Sequence, residues 1–166
     1  MKLYRCKFCG YLHVGEIPEE CPMCHAKGDV AFAEYEPKDV TGTKTAENLA
    51  AAFAGESQAN RKYTLWQNIA RIAGAEGAAA AFDRPMAEET AHALAEAAYL
   101  GMFSSDVKEN LENAAEGERY EEEEMYPEFA RIAREEGFED IALFFEKTGF
   151  FEGQHKKGYK DAAAEL

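Results

Sequence analysis

The chain has 166 residues, a hydrophobic fraction of 46% and a formal net charge of -14. That length holds one sizeable core, or one core with a small appended module. The acidic balance argues against nucleic acid and anionic membrane surfaces as partners, because both repel negative charge. No apolar run approaches the roughly 20 residues of a membrane-spanning helix. The first residues, Met1-Lys2-Leu3-Tyr4-Arg5-Cys6, lack the apolar stretch of a secretory leader, so the expected location is cytoplasmic.

Residues 1–36 form the first predicted domain. All four cysteines lie here, as Cys6-x-x-Cys9 and Cys21-x-x-Cys24. In a reducing compartment this pattern favours metal over disulfides. Two such knuckles let four thiolates converge tetrahedrally on one ion, and iron and zinc both accept that geometry. The segment is too short to fold on apolar burial alone. His13 and His25 read as structural or surface residues. Residues 37–44 form a linker with Pro37 and Gly42 as breakers.

Residues 45–166 are rich in Ala and Glu and predict four helices. Helix A runs over about 45–74, capped by Thr43 or Thr45, with Leu49, Phe53, Glu56, Tyr63 and Ala70 on its inward stripe. Helix B runs to about Phe103 and carries Glu89, His92 and Tyr99. Pro85 fits only its first turn, and Asp83 is its expected cap. Helix C starts near Ser105 or Asp106, where Asp106-Val107-Lys108-Glu109 has the form of a capping box. Its stripe is Leu111, Ala114, Glu118, Glu121, Met125, Phe129 and Ile132, with a kink expected at Pro127. Helix D spans about 138–162, with Ile141, Phe145, Thr148, Glu152, His155 and Tyr159 in register. The predicted fold class is an all-α four-helix bundle behind a small metal-binding domain.

Two Glu-x-x-His steps, Glu89–His92 and Glu152–His155, carry the chemistry. Residues three apart on a helix share a face, so each step aims two ligands at one point. With Glu56, Glu118 and Glu121, four packed helices present five carboxylates and two imidazoles, the ligand set of a carboxylate-bridged di-iron or di-manganese site. A Glu on a buried stripe is costly unless paired or metal-bound, and seven such residues are in phase with four apolar stripes. Glu122, Glu123 and Glu124 read as a solvated acidic face. The halves look like a diverged repeat. Gly55-Glu56 answers Gly117-Glu118, and Arg71-Ile72-Ala73 answers Arg131-Ile132-Ala133. Pairing Gly77 with Gly137 gives 15 and 18 residues to the histidine, which implies that helix B has lost a turn at its start.

The wording Cys6-Lys7-Phe8-Cys9-Gly10-Tyr11 and Cys21-Pro22-Met23-Cys24 resembles rubredoxin-type knuckles, whose single iron transfers one electron. His25 departs from the Gly of many rubredoxins and is expected to alter the local turn. Phe53-Ala54-Gly55-Glu56-Ser57-Gln58-Ala59, Ala115-Glu116-Gly117-Glu118-Arg119-Tyr120-Glu121, Met125-Tyr126-Pro127-Glu128-Phe129 and the step from Glu152 to His155 resemble the rubrerythrins. The likeness covers nearly the whole chain, with the cysteine unit before the bundle, as in the reverse rubrerythrins. The resemblance implies a ferritin-like bundle with a di-iron site. Glu56, Glu89 and either His92 or Glu121 would serve one iron, and Glu118 and His155 the other, with Glu89 and Glu152 bridging. It also implies a metal that moves between Glu121 and His92 with redox state, and Tyr63 and Tyr126 beside the ligands.

The activity implied is reduction of hydrogen peroxide to water in defence against oxidative stress. Electrons would pass through the rubredoxin-like iron from a protein donor, a rubredoxin or an NAD(P)H-dependent reductase. The alternatives are a ferroxidase that oxidises Fe(II) and a zinc-ribbon module tethered to a helical interaction domain. The ferritin-like fold runs helices B and C parallel, which needs a return of about 34 Å along the bundle at the helical rise. The two or three residues between them reach only about 10 Å. Either helices B and C are much shorter than this reading makes them, or the bundle is shared between chains. The expected assembly is the shared one, a homodimer domain-swapped so that helices A and B of one chain pack with C and D of another.

Overall fold

The computed structural model describes residues 1–166 and is mostly helical, with a small sheet at its N-terminal end. The chain divides into two units, Met1–Phe103 and Ser104–Leu166.

In the first unit, β1 (Leu3–Cys6) lies between β2 (Leu12–Val14) and β3 (Phe32–Glu34), antiparallel to both, and α1 (Gly28–Ala31) precedes β3. The two cysteine knuckles close with the same backbone pattern. Gly10 donates its N–H to the Cys6 carbonyl at 3.0 Å, and His25 donates to the Cys21 carbonyl at 2.9 Å. Both residues take a left-handed backbone, with φ of 84° at Gly10 and 59° at His25. His25 thus holds a conformation that is uncommon for a residue with a Cβ. Its ring nitrogen Nδ1 lies 2.7 Å from Glu20 Oε1, a local tether for that strained turn.

The helices of this unit are α2 (Lys44–Ile72), α3 (Glu76–Ala80) and α4 (Asp83–Tyr99). Thr43 is the α2 cap, its hydroxyl accepting from the Ala46 N–H at 3.1 Å. Asp83 is not the cap of α4. Phe82 holds that position without a side-chain bond, and the Asp83 carboxylate accepts from Gln67 Nε2 at 2.6 Å. Nor does α4 reach Phe103. Gly101, at φ 66°, donates to the Ala98 carbonyl and Met102 donates to Ala97, the double bond that closes a helix around a left-handed glycine.

Gly74 and Gly137 end their helices by the same pair of bonds, to Arg71 and Ala70 in one case and to Arg134 and Ala133 in the other. The partner of Gly137 in the repeat is therefore Gly74, not Gly77. From either glycine to the histidine is 18 residues, so the shorter start of helix B comes from a break and not from missing residues. The helix α4 begins at Asp83, with the separate α3 before it, whereas the helix after Gly137 runs unbroken from Glu139. The difference between the halves lies upstream. Glu56 to Gly74 is 18 residues, and Glu118 to Gly137 is 19.

The additional residue is taken up in the second unit. Its α5 (Val107–Tyr120) widens into a single π turn (Glu121–Met125), which leads into α6 (Tyr126–Glu135) and then α7 (Glu139–Ala164). The break expected at Pro127 takes this form, since a proline in the first turn of α6 has no N–H to continue an α-helical ladder. Phe129 and Ile132, expected inward, are exposed in this unit, as is Ile141, because a stripe read from periodicity does not say what covers it, and Ala130 and Ala133 are buried instead. Asp106 caps α5 through the Lys108 N–H, but Glu109 does not complete a capping box. Its carboxylate accepts from the Ser104 hydroxyl.

Small residues set the close contacts. A Cβ on Gly28 would fall on the Pro18 carbonyl oxygen, an overlap that only backbone movement relieves. Gly28→Ala is expected to destabilise the cysteine unit by about 1–3 kcal/mol. A faster loss of its metal to a chelator would show this, with helical content by circular dichroism unchanged.

Candidate metal centres

The four thiols converge. Cys6 Sγ lies 3.7 Å from Cys24 Sγ, and Cys9 Sγ 3.6 Å from Cys21 Sγ, with no disulfide formed. Metal–sulfur bonds of about 2.3 Å in a tetrahedron give edges of about 3.8 Å, so the sulfur cage is already of the size an iron or zinc ion needs. Burial pushes the Cys6 thiol up, but backbone groups of Cys9 and Phe8 outweigh it and bring it down to about 7. Burial holds Cys9 and Cys21 above the ordinary thiol range. One readily ionised thiol among buried ones suits a cage that waits for a cation to draw off its protons.

The first unit also assembles Glu56, Glu89 and His92. The face of α2 that carries Glu56 is fixed against α3 and α4 by two buried amides. Asn60 Nδ2 donates to the Met86 carbonyl at 2.7 Å and to Thr90 Oγ1 at 2.9 Å, and Gln67 Nε2 donates to the Ala79 carbonyl at 3.1 Å. His92 Nδ1 then lies 3.0 Å from Glu89 Oε2 and 4.0 Å from Glu56 Oε2. The second unit builds the same figure from α5 and α7. His155 Nδ1 lies 2.7 Å from Glu152 Oε2 and 3.9 Å from Glu118 Oε1. Here the close approach rests on glycine. Gly149 meets Tyr126, and Gly153 leaves no room for a Cβ beside the Glu122 carboxylate.

The electrostatics of the two triads point the same way. A hydrogen bond with Glu89 pushes Glu56 up to about 7, with burial and the Glu89 charge adding to it. Burial and the charge of Glu152 push Glu118 up as well. Two carboxylates this close hold a proton between them until a cation replaces it. Paired carboxylates with a histidine at each of two points are the donor set that iron accepts in helical bundles.

Glu121 belongs to neither triad. It opens the π turn, and burial raises Tyr126 as it raises Glu118, with the Glu121 charge adding to both. Tyr126 packs on Phe129 and Phe145 and lines a cavity of about 660 Å³ with Glu122 and Gly149. Tyr63 sits in an aromatic group with Trp66 and Phe82, at centroid distances of 5.7 and 5.8 Å. Sequence reasoning missed two residues. Glu96 stands one turn beyond His92 on the same face, with Oε2 buried and without a hydrogen-bond partner, and burial raises its pKa. Its signal was the spacing Glu89–His92–Glu96. Glu122, read as solvated, is half-buried in an ion pair with Lys156, whereas Glu123 and Glu124 are exposed beside Arg119. The glycine at 153 and the lysine at 156 were the signal for that pair.

Residues 47–163 match the family described as Rubrerythrin, and residues 4–30 match the rubredoxin-like domain of rubrerythrin. A rubrerythrin of Porphyromonas gingivalis is 37% identical over 134 residues, covering 74% of this chain and 67% of that protein. A rubrerythrin of Nitratidesulfovibrio vulgaris is 36% identical over 141 residues, covering 78% and 74%. Reverse rubrerythrin-1 of Clostridium acetobutylicum is 31% identical over 134 residues, covering 72% and 74%. No helix is long and apolar enough to cross a membrane.

The raised Glu56 gives a pH signature. Its folded pKa of about 7 exceeds the ordinary carboxylate value, so its contribution favours the fold in acid and is lost as pH rises toward 7. In metal-stripped protein, Glu56→Gln should therefore gain stability relative to the parent between about pH 4.5 and 7 and hold that gain above 7. Urea denaturation at pH 4.5, 6 and 8 reads the difference.

Proposed function

The chain belongs to the rubrerythrin family, and we propose that within it the protein is a non-haem di-iron peroxidase of the reverse-rubrerythrin type, reducing hydrogen peroxide to water. Its domains on this reading are a rubredoxin-like unit over residues 1–36, a linker over 37–44 and a ferritin-like bundle over 45–166. The observation that carries the reading is the pairing of two Glu–Glu–His triads with a separate four-cysteine cage in one chain. A ferroxidase has less need of a built-in one-electron centre, and a zinc module has no use for the triads.

Cys6, Cys9, Cys21 and Cys24 would hold one iron. Glu56, Glu89 and His92 would face one metal of the pair, and Glu118, Glu152 and His155 the other, with Glu89 and Glu152 placed to bridge. Glu121 would serve as the carboxylate that exchanges with His92. A bound pair of irons supplies two electrons and stabilises charge on the parting oxygens. The side chains handle the protons. Reduction of one peroxide to two waters takes up two electrons and two protons, and a carboxylate or histidine beside the metals would pass those protons. Tyr63 and Tyr126 would orient groups around the ligands. The working location is the cytoplasm, where a protein electron donor is at hand.

The assembly follows from chain length. The seven residues Leu100–Asp106 join α4 to α5. From His92 to the end of α4 and from Val107 to Glu118 is about 27 Å of helix axis. The eight steps from Tyr99 to Val107 reach about 26–29 Å only when fully extended. These seven are not extended, because Gly101 and Met102 fold back onto α4 and Ser104 donates its N–H to Asn110. A second copy supplies the complementary half. Each unit leaves large apolar residues exposed, Leu65, Trp66, Ile69 and Ile72 in one and Phe129, Ile132, Phe150 and Phe151 in the other, more than scattered surface apolars warrant. The reading is a domain-swapped homodimer with two composite sites. Sedimentation should give a dimer, and a monomer that keeps its full di-iron content would refute the swap.

The activity is tested by anaerobic stopped-flow on reduced, iron-loaded protein. Fast return of the ferric-thiolate band with peroxide and slow return with oxygen is the expected result. Preference for oxygen would transfer the reading to a ferroxidase. Glu118→Ala and His155→Ala should each lower bundle iron and cut peroxide turnover by about 100-fold or more, with the ferric-thiolate spectrum unchanged.

A further inference from the structure

Within Met1–Phe103 the cysteine cage is seated on α4, the helix that carries Glu89 and His92. Cys6, Tyr11, Cys21, Ala31 and Phe32 form one buried cluster with Ala91 and Ala95. Leu3 and Leu12 form another with Ala98, flanked by Tyr35 and Tyr99. The Tyr99 hydroxyl donates to the Gly10 carbonyl at 2.6 Å, which ties the first knuckle directly to the helix. The α4 surface is therefore divided by function. Ala91, Ala95 and Ala98, at helical spacing, meet the cysteine unit, and Glu89, His92 and Glu96 stand on the neighbouring stripe. A cavity of about 320 Å³ is bordered by Cys9 and Tyr11 on one side and by Glu56, His92, Glu96 and Tyr99 on the other. Candidate ligands of both metal centres thus line one space within one chain.

We propose that α4 is an intrachain electron bridge. One electron passes from the thiolate-held iron to the Glu56–Glu89–His92 side of the di-iron centre in the same chain. Ala91, Ala95 and the Tyr99–Gly10 bond act as positioning residues that set the distance. The inference rests on the peroxidase reading above. Each passage oxidises the thiolate-held iron from the ferrous to the ferric state and moves one electron. Two passages, with two protons from solvent, match the reduction of one peroxide to two waters, and an external one-electron protein donor restores the thiolate centre each time. Alanine matters because a methyl group lets the cage backbone approach α4, and a larger side chain there forces the surfaces apart.

Two measurements test this on the full iron-loaded chain. In the first, Ala95→Leu is compared with the parent and with the conservative Ala95→Gly. The expected result is unchanged iron content and an unchanged ferric-thiolate spectrum, with peroxide-driven reoxidation of the thiolate centre about tenfold slower or more, because overpacking displaces backbone. Ala95→Gly should keep the parent rate. In zinc-loaded protein the amide resonances of Cys9, Gly10 and Tyr11 should shift in Ala95→Leu, and those of Glu20 should not. The second measurement needs no change at the interface. A mixed dimer pairs one chain carrying Cys9→Ser and Cys24→Ser with one carrying Glu56→Ala and His92→Ala. Its remaining thiolate centre then sits on the chain without a working α2–α4 half, and should not be reoxidised at the parent rate. Parent-rate reoxidation in that mixed dimer, or in an Ala95→Leu protein whose Cys9–Tyr11 amides have moved, would overturn the bridge. Failure of the parent itself to be reoxidised by peroxide would instead refute the peroxidase reading.

Discussion

The rest of this structure depends on the cost of bringing carboxylates together on half-buried helix faces. Glu56 with Glu89, and Glu118 with Glu152, are close enough that each pair favours a shared proton over two charges. A fold that selected for stability alone would have no reason to place them so. The surrounding architecture holds them there regardless. Asn60 and Gln67 use buried amides to fix α2 against α4 and α3. Gly149 and Gly153 give up side chains so that α7 can close on Tyr126 and Glu122. Both devices make sense as support for a site whose repulsion is relieved by divalent cations.

The two triads are nearly superimposable in their internal distances, 3.0 and 4.0 Å around His92 against 2.7 and 3.9 Å around His155. This follows from the repeat, since Gly74 to His92 and Gly137 to His155 are equal in length. The one added residue lies between Glu118 and Gly137, where the π turn begins at Glu121. A π turn interrupts the α-helical ladder and redirects the side chains that follow. Glu121 stands three residues after Glu118, where the first half has Ala59 three residues after Glu56, so the second half carries a carboxylate without a counterpart in the first. On the proposed reading, the backbone irregularity then begins at the residue that would exchange with His92.

The helices, the cysteine cage and the two Glu–Glu–His clusters were legible because their signals are local. Glu-x-x-His steps and Cys-x-x-Cys pairs work through spacing along one element, and Thr43 caps through a bond three residues away. What escaped was set by contacts between elements. Asp83 looked like a cap until Gln67, sixteen residues away, took its carboxylate. Phe129 packs on Tyr126 and Phe145 yet is exposed within its unit, as are Ile132 and Ile141, because a stripe read from periodicity does not say what covers it. Gly77 was paired with Gly137 by sequence likeness, whereas the helix-closing bonds select Gly74. Glu96 and Glu122 were hidden for the converse reason. Acidic residues in an acidic chain read as solvated until burial singles them out.

Seating the cysteine cage on α4 has a consequence for how each residue on that helix is constrained. A helix that bears ligands on one stripe and a packed domain on the next has little freedom to rotate or slide. Movement that repositions His92 must also disturb Ala91 and Ala95, which are buried against Cys6 and Cys21. On the proposed reading, a ligand exchange at His92 is then best accommodated by side-chain rotation, with the α4 backbone held still. On the same reading it is the metal that would shift between His92 and Glu121, and Glu121 stands at the π turn, where the helical ladder is already broken. On the proposed reading, the half held against the cysteine unit would receive the electrons, and the half with the π turn would offer the exchanging carboxylate. A fixed distance for electron delivery and an irregular backbone beside the exchanging ligand would then fall to different units.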